Sequence, residues 1–221
     1  MAPTPKVKIC GLTTEAALET ALAAGADYVG LVFFPPSPRS LSPEAAAPLA
    51  ARARGRARIV ALAVDPDDAL LDAVVSAVDP DLLQLHGEEP PARAAEVRRR
   101  WARPVMKAIT VETAQDAEAA LGYQGAADLI LFDAQAPRGA TRPGGNGAAF
   151  DWQALAAVKN EVVYMLSGGL TPDNVAEAIG VTGAAIVDVS SGVETRPGEK
   201  DPELIRRFLR TVKAAKQSAE T

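Results

Sequence analysis

At 221 residues the chain exceeds the usual single-domain size but lies within the range over which α/β barrels fold as one unit. Hydrophobic residues at 48% and charged residues at 23% suit a globular core, while 23 Lys+Arg against 28 Asp+Glu, a net charge of −5, point away from nucleic acid and from anionic lipid. One cysteine excludes an internal disulfide, no Cys/His cluster offers a zinc site, and 5% aromatic residues leave no base-stacking surface. In chain order, short apolar or β-branched runs alternate with Ala-rich stretches carrying charge at helical spacing. Strands are predicted at Val7–Cys10, Tyr28–Phe33, Ile59–Val64, Leu82–His86, Val105–Ile109, Leu129–Asp133, Val162–Leu166 and Ala185–Ser190. After each in turn comes a predicted helix: Thr14–Ala24, Pro43–Arg54, Pro66–Val78, Pro90–Trp101, Val111–Leu121, Phe150–Lys159, Pro172–Ile179 and Pro202–Ala215.

Local chemistry supports these boundaries. Ser42-Pro43, Asp65-Pro66, Thr171-Pro172 and Asp201-Pro202 each set a capping side chain before a proline suited to a first helical turn. Gly25 and Gly180 stand where left-handed C-caps are expected. The Arg98-Arg99-Arg100 run reads as the solvated C-terminal end of the fourth helix, where cations suit the dipole. The Pro- and Gly-rich stretch Ala134–Gly147 is the longest without periodicity, with the character of a functional or mobile loop and a conceivable lid. The N-terminus lacks the apolar run of a signal peptide, and no stretch approaches a membrane span, so a soluble cytoplasmic protein is expected.

Eight βα units imply parallel strands joined by right-handed crossovers. They fit a closed (β/α)8 TIM barrel, one catalytic domain over residues 1–221, better than an open flavodoxin-like or Rossmann sheet, because closure leaves no strand edge. The active site of such a barrel lies at the C-terminal ends of its strands. Cys10, His86 and Asp133 end strands one, four and six; Arg39 follows strand two in a proline-restricted loop; Ser190-Ser191-Gly192 follows strand eight. Strand parity sends Lys8 inward one layer below Cys10, and brings Asp133 and Asp188 toward one another. Ser167-Gly168-Gly169 and Ser190-Ser191-Gly192 occupy the two loops in which this fold recurrently binds phosphate. A small phosphorylated ligand is therefore expected, with no metal and no cofactor. Each residue also has a plain structural reading: a buried small thiol, a loop histidine, a solvated arginine, two glycine turns.

The ordered set of motifs resembles the phosphoribosylanthranilate isomerase family over nearly the whole chain. It comprises Lys8-Ile9-Cys10-Gly11-Leu12, Gly25-Ala26-Asp27, Ser37-Pro38-Arg39, Gln84-Leu85-His86-Gly87, Asp133 with its glycine-rich loop, and Phe150-Asp151-Trp152. Ser167-Gly168-Gly169-Leu170, Asn174-Val175, the run Val187 to Glu194 and Lys200-Asp201 complete it. The resemblance implies a TIM barrel performing an Amadori rearrangement in tryptophan biosynthesis. By it Cys10 is the general base, Asp133 the general acid, and Arg39 the holder of the anthranilate carboxylate. Gly168-Gly169 and Ser190-Ser191-Gly192 hold the phosphate, with Lys8, His86 and Asp188 as further substrate-site residues. The chain departs from the family pattern at Asn146, where threonine is usual, at Ala134, where a hydroxyl is frequent, and at Ser167, where alanine is common.

The chemistry asks for a protonated acid, with a pKa raised by burial or by Asp188, and a partly ionised thiol, favoured by Lys8. Two other readings compete. The histidine-pathway sugar isomerase on the same fold uses two aspartates, and Cys10 stands where one of them would be. A non-catalytic phosphate-ligand-binding barrel would tolerate loss of Cys10. A monomer is expected, with a homodimer as the alternative.

Overall fold

A computed structural model describes residues 4–135, 144, 145, 147 and 149–218. Eight strands close into a parallel barrel in sequence order. They are β1 (Lys6–Cys10), β2 (Tyr28–Phe33), β3 (Arg58–Ala63), β4 (Leu82–Leu85), β5 (Val105–Val111), β6 (Leu129–Ala134), β7 (Tyr164–Leu166) and β8 (Ile186–Val189). Pairing of β1 with both β2 and β8 completes the ring, with Lys8 opposite Tyr28 on one side and Asp188 on the other. The helices are α1 (Glu15–Ala24), α2 (Pro43–Ala53), α3 (Asp68–Val78), α4 (Pro91–Trp101), α5 (Ala114–Glu118), α6 (Val175–Thr182) and α7 (Pro202–Ser218). A two-stranded hairpin of β9 (Glu194–Arg196) and β10 (Glu199–Lys200) precedes α7.

Period-two alternation divides the core. Val7, Ile9, Val29, Leu31, Leu83, Leu85, Ile130 and Phe132 point outward under the helices. Tyr28, Val60, Leu82, Met106, Leu129, Leu131 and Met165 fill the lower barrel interior, and Cys10, Val32 and Leu62 lie above them. The lower rim is pinned by a recurring device: an aspartate ahead of an even strand accepts a hydrogen bond from the first amides of the strand before it. Val7 N–H donates to Asp27 at 2.9 Å, Ile59 N–H to Asp81 at 2.7 Å and Val105 N–H to Asp128 at 2.9 Å. At the far end of the chain, Lys213 Nζ donates to the Ala24 carbonyl at 2.9 Å, putting a cation on the C-terminus of α1 and closing the helical ring.

Several sequence expectations hold. Ser42 Oγ accepts from Ala45 N–H, Asp201 from Glu203 and Leu204, and Gly25 is left-handed at φ 89°. Others are corrected. Asp67, not Asp65, caps α3; the Asp65 carboxylate accepts from Glu88 N–H, and its own backbone is left-handed. Gly180 lies inside α6, which starts at Val175 and ends at left-handed Gly183. The predicted start of the fifth helix at Val111 is still strand: Asp116 accepts from the Glu112 and Thr113 amides and holds α5 to a later start at Ala114. The predicted helix Phe150–Lys159 is only a 3-10 turn at Trp152–Leu155, because its buried side chains are few: Ala154, Leu155 and Val158. Most of Ala134–Gly147, including Asn146, lies outside the described residues, and so does its reading as a lid.

Candidate active site

The C-terminal rim of the barrel forms an open cleft, with about 750 Å3 of free space between its walls and out into open solvent. Cys10, Arg39, His86, Asp133, Gly168, Gly169, Asp188, Ser190 and Ser191 all line it. Two expected site residues do not. Lys8 is fully buried one layer down, where its ammonium meets Asp188 Oδ1 at 2.9 Å. Gly192 instead lets the two rim loops touch, since a Cβ there would fall 1.9 Å from the Leu170 carbonyl oxygen.

Cys10 stands at the end of β1 against Gly30 of β2, its register partner. A side chain at Gly30 would come 2.8 Å from Sγ, so this glycine makes the space for the thiol. Burial pushes the Cys10 thiol up; the positive charges of Lys8 and Lys200 pull it down, and Asp188 opposes them. The net shift is upward. The expectation that Lys8 leaves the thiol partly ionised is therefore corrected, because burial outweighs the Lys8 charge, with Asp188 adding to the upward push. The converse also holds: burial alone would lower Lys8, yet Asp188 and Cys10 raise it above its ordinary range.

Asp133 is the next-to-last residue of β6, three strands from β1 by way of β8. Its Oδ1 accepts from the Ala134 amide at 2.9 Å and its Oδ2 lies 3.2 Å from His86 Nε2. Parity alone brings Asp188 toward it, but the Asp188 oxygens are engaged by Lys8 and, at 3.1 Å, by the Ser167 hydroxyl. The unexpected Ser167 thus fixes the second oxygen of a buried carboxylate. His86 in turn meets Gln84 through Nδ1 at 2.9 Å. The backbone beyond His86 is held by a buried pair: Lys107 Nζ donates to Gly87 O at 2.7 Å and Glu89 Oε2 at 2.9 Å, while Glu89 accepts from the Gly87 amide.

Arg39 is held by its loop and by a distant partner. Its amide donates to Ser37 Oγ and the Phe34 amide to Ser40 Oγ, folding the proline-rich segment into a tight turn. The residue is 3% exposed, and its guanidinium forms a two-pronged pair with Glu194 at 2.7 Å through both Nε and Nη2. Glu194 also accepts from Lys200 at 2.6 Å, and Lys200 donates to the Ser190 carbonyl at 2.9 Å. Burial opposes ionisation of Glu194, but Arg39 and Lys200 outweigh it and hold the carboxyl low; burial likewise pushes Lys200 down despite Glu194. Two cations on one carboxylate leave this edge of the cleft net positive, as an anionic ligand requires. Left-handed Gly11 (φ 75°) clears a path for the arginine stem, since a Cβ there would fall 2.4 Å from Arg39 Cδ.

Opposite, Gly168 (φ 85°) and Gly169 (φ 61°) turn the chain after β7. A Cβ on Gly168 would meet the Ala134 amide nitrogen at 2.5 Å, so the loop nests against β6. Asn174 fastens it, donating to the Gly169 carbonyl at 3.0 Å and accepting from Thr171 N–H at 2.8 Å. Ser190 Oγ donates to the Cys10 carbonyl at 3.2 Å, linking the second glycine loop to β1.

Gln84, Gly30, Gly11, Glu194 and Lys200 are the site residues to which sequence reasoning gave no role. A signal existed for the last two: Pro197-Gly198 is a turn dipeptide, and the hairpin it closes brings Glu194 and Lys200 together.

Comparison with known proteins bears directly on this geometry. The sequence model of N-(5′-phosphoribosyl)anthranilate (PRA) isomerase matches residues 7–211. The chain belongs to the phosphoribosylanthranilate isomerase family. It is 59% identical over 211 residues to N-(5′-phosphoribosyl)anthranilate isomerase of Rhodopseudomonas palustris strain BisA53, covering 96% of this chain and 97% of the relative. Its fold is similar to the crystal structure of the phosphoribosyl anthranilate isomerase from Thermotoga maritima, with a TM-score of 0.86 and 37% identity over 95% of this chain and 99% of the other. It is also similar to a phosphoribosyl anthranilate isomerase solved in complex with reduced 1-(o-carboxyphenylamino)-1-deoxyribulose 5-phosphate, with a TM-score of 0.83 and 35% identity over 95% and 99% of the two chains. The (β/α)8 architecture and the isomerase assignment read from the sequence both stand.

Proposed function

We propose that the chain acts as one catalytic unit in tryptophan biosynthesis. It converts N-(5-phosphoribosyl)anthranilate to 1-(2-carboxyphenylamino)-1-deoxyribulose 5-phosphate, with Asp133 as general acid and Cys10 as general base. The observation that carries this reading is a single cleft lined by a thiol, a carboxyl paired with histidine, a buried arginine and two glycine loops. The 5-phosphate sits at Gly168-Gly169 and Ser190-Ser191, where backbone amides can approach an anion. The anthranilate carboxylate lies toward Arg39, whose neighbours Phe34 and Val32 offer apolar surface to the aromatic ring.

Asp133 gives its proton to the furanose ring oxygen as the C1′–O bond breaks, and the anthranilate nitrogen supplies the electron pair that forms a cationic Schiff base. Cys10 then removes the C2′ proton, and the electron pair left behind moves to neutralise the nitrogen. The resulting enolamine becomes the ketone by taking a proton at C1′ and giving up the proton of its C2′ hydroxyl. Hydrogen moves within one molecule, so no external oxidant or reductant is consumed. A buried thiol held above its ordinary pKa is less ionised in the free enzyme; the new positive charge on the Schiff base favours its ionisation at the step that needs it.

The test is the fluorescence of freshly generated phosphoribosylanthranilate. Enzyme-dependent loss with formation of the deoxyribulose phosphate is expected. Saturable binding without loss would overturn the reading in favour of a phosphate-ligand-binding barrel.

A further inference from the structure

On parity grounds Gln84 belongs to the barrel interior, one step below His86 on the same face of β4. It is 1% exposed, and its Nε2 lies 2.9 Å from His86 Nδ1. The two orientations of its amide have opposite consequences. With nitrogen toward the ring, Gln84 donates to Nδ1, which must then carry a lone pair. With oxygen toward the ring, it accepts a proton from Nδ1. The buried Oε1 has no hydrogen-bond partner among the described residues. Turning the amide over would put its NH2 group in that place, exchanging one under-used carbonyl for two orphaned donors. Buried orphan donors are the rarer and costlier defect. The far side of the imidazole agrees, because Nε2 faces an acceptor, Asp133 Oδ2, at 3.2 Å.

We propose that Gln84 is a positioning residue that fixes His86 as the neutral tautomer protonated on Nε2, so that His86 donates to the carboxylate left when Asp133 releases its proton. This deepens the acid–base reading above and rests on it. As the Asp133 O–H bond breaks and the ring-oxygen O–H bond forms, negative charge appears on Asp133, and the Nε2–H group is already aimed at it. His86 keeps its own proton throughout. Among the described residues, the charged groups around the ring are Asp133 from β6 and, behind the adjoining Gly87 backbone, the Lys107–Glu89 pair and the Asp65 carboxylate.

The chain has one histidine, so 15N-histidine labelling reports this ring alone. In the ligand-free protein at neutral pH, Nε2 is expected to show a protonated-type shift and Nδ1 the far-downfield shift of a bare nitrogen. Gln84→Met should release the tautomer into a mixture and lower turnover roughly tenfold, the worth of one hydrogen bond in the transition state. Gln84→Glu, an acceptor only, should move the proton to Nδ1. A bare Nε2 in the natural protein, two protonated nitrogens, or a Gln84→Met protein with an unchanged tautomer would each overturn the proposal. If Gln84→Met does not fold, the spectrum of the natural protein decides alone. Failure of the acid assignment would show separately, as a fully active Asp133→Asn enzyme, and would overturn the catalytic half of the proposal whatever the tautomer.

Discussion

Replacing Lys8 by Met tests how the polar layer beneath the cleft is held. In the natural protein the Lys8 ammonium, fully enclosed, meets Asp188 at 2.9 Å, and the carboxylate is 6% exposed. Losing one member of a buried pair costs about 3–5 kcal/mol because the other charge stays behind uncompensated. Asp188 keeps the Ser167 hydroxyl at 3.1 Å and borders the cleft, which places the cost near the lower limit, about 3 kcal/mol. For a chain of this size that is a fall in melting temperature of roughly 6–12 °C. Lys8→Met combined with Asp188→Asn removes both charges and should recover most of the loss. The pair has a pH signature as well. The folded pKa of Lys8 is raised, so its contribution is complete below the unfolded value of about 10.4 and is lost only as pH rises through the folded one. The gap between natural and Lys8→Met proteins should therefore be flat around neutrality and shrink only in strong alkali. Urea titrations of the three proteins over pH give the measurement. A single-variant loss below about 1 kcal/mol, or a double variant no better than the single, would refute the reasoning.

Alkylation of Cys10, the one cysteine of the chain, followed by mass spectrometry, should be slow at neutral pH and still rising beyond the ordinary thiol pKa of about 8.5, because burial raises this thiol. By the same sign, the buried neutral thiol costs no stability at neutral pH and destabilises the fold only above that value; an alkylation plateau below neutrality would contradict this. Gly30→Ala puts a methyl 2.8 Å from Sγ and 3.0 Å from the Cys10 Cα, so turnover should fall at least tenfold at a stability cost of about 1–3 kcal/mol, and unchanged turnover would mean the thiol needs no such space. Arg39→Lys keeps the charge and loses the two-pronged grip on Glu194, so KM for the carboxylated substrate should rise roughly tenfold or more with kcat less affected; an unchanged KM would remove Arg39 from carboxylate binding.

Much of this arrangement was legible in the sequence because its causes are local. Tyr28–Phe33 is bounded as expected, since an apolar run between a turn and a proline pair leaves little choice. Ser42, Asp201 and Gly25 cap as their chemistry dictates. Parity sent Lys8 and Cys10 inward. What could not be read depends on long-range partners. Glu194 is 155 residues from the arginine it grips, and Lys8 is 180 from Asp188; no periodicity announces either pair. Asp65 precedes Pro66 as a cap should, but once the β4–α4 loop is in place the Glu88 amide takes its carboxylate and Asp67 caps α3 instead. The sign of the Cys10 shift required knowing how completely the thiol is buried, since burial outweighs the Lys8 charge.

The central claim is that Asp133 and Cys10 perform successive proton transfers in one cleft. The direct test is consumption of fresh phosphoribosylanthranilate by the natural protein, Cys10→Ser, Asp133→Asn and the double variant, each shown to be folded. Turnover is predicted to fall by roughly 10²–10⁴-fold in each single variant, with the double falling by less than the product of the two, because each step is idle without the other. A single variant retaining turnover within about threefold of the natural protein, well short of even one tenfold step, would contradict the account.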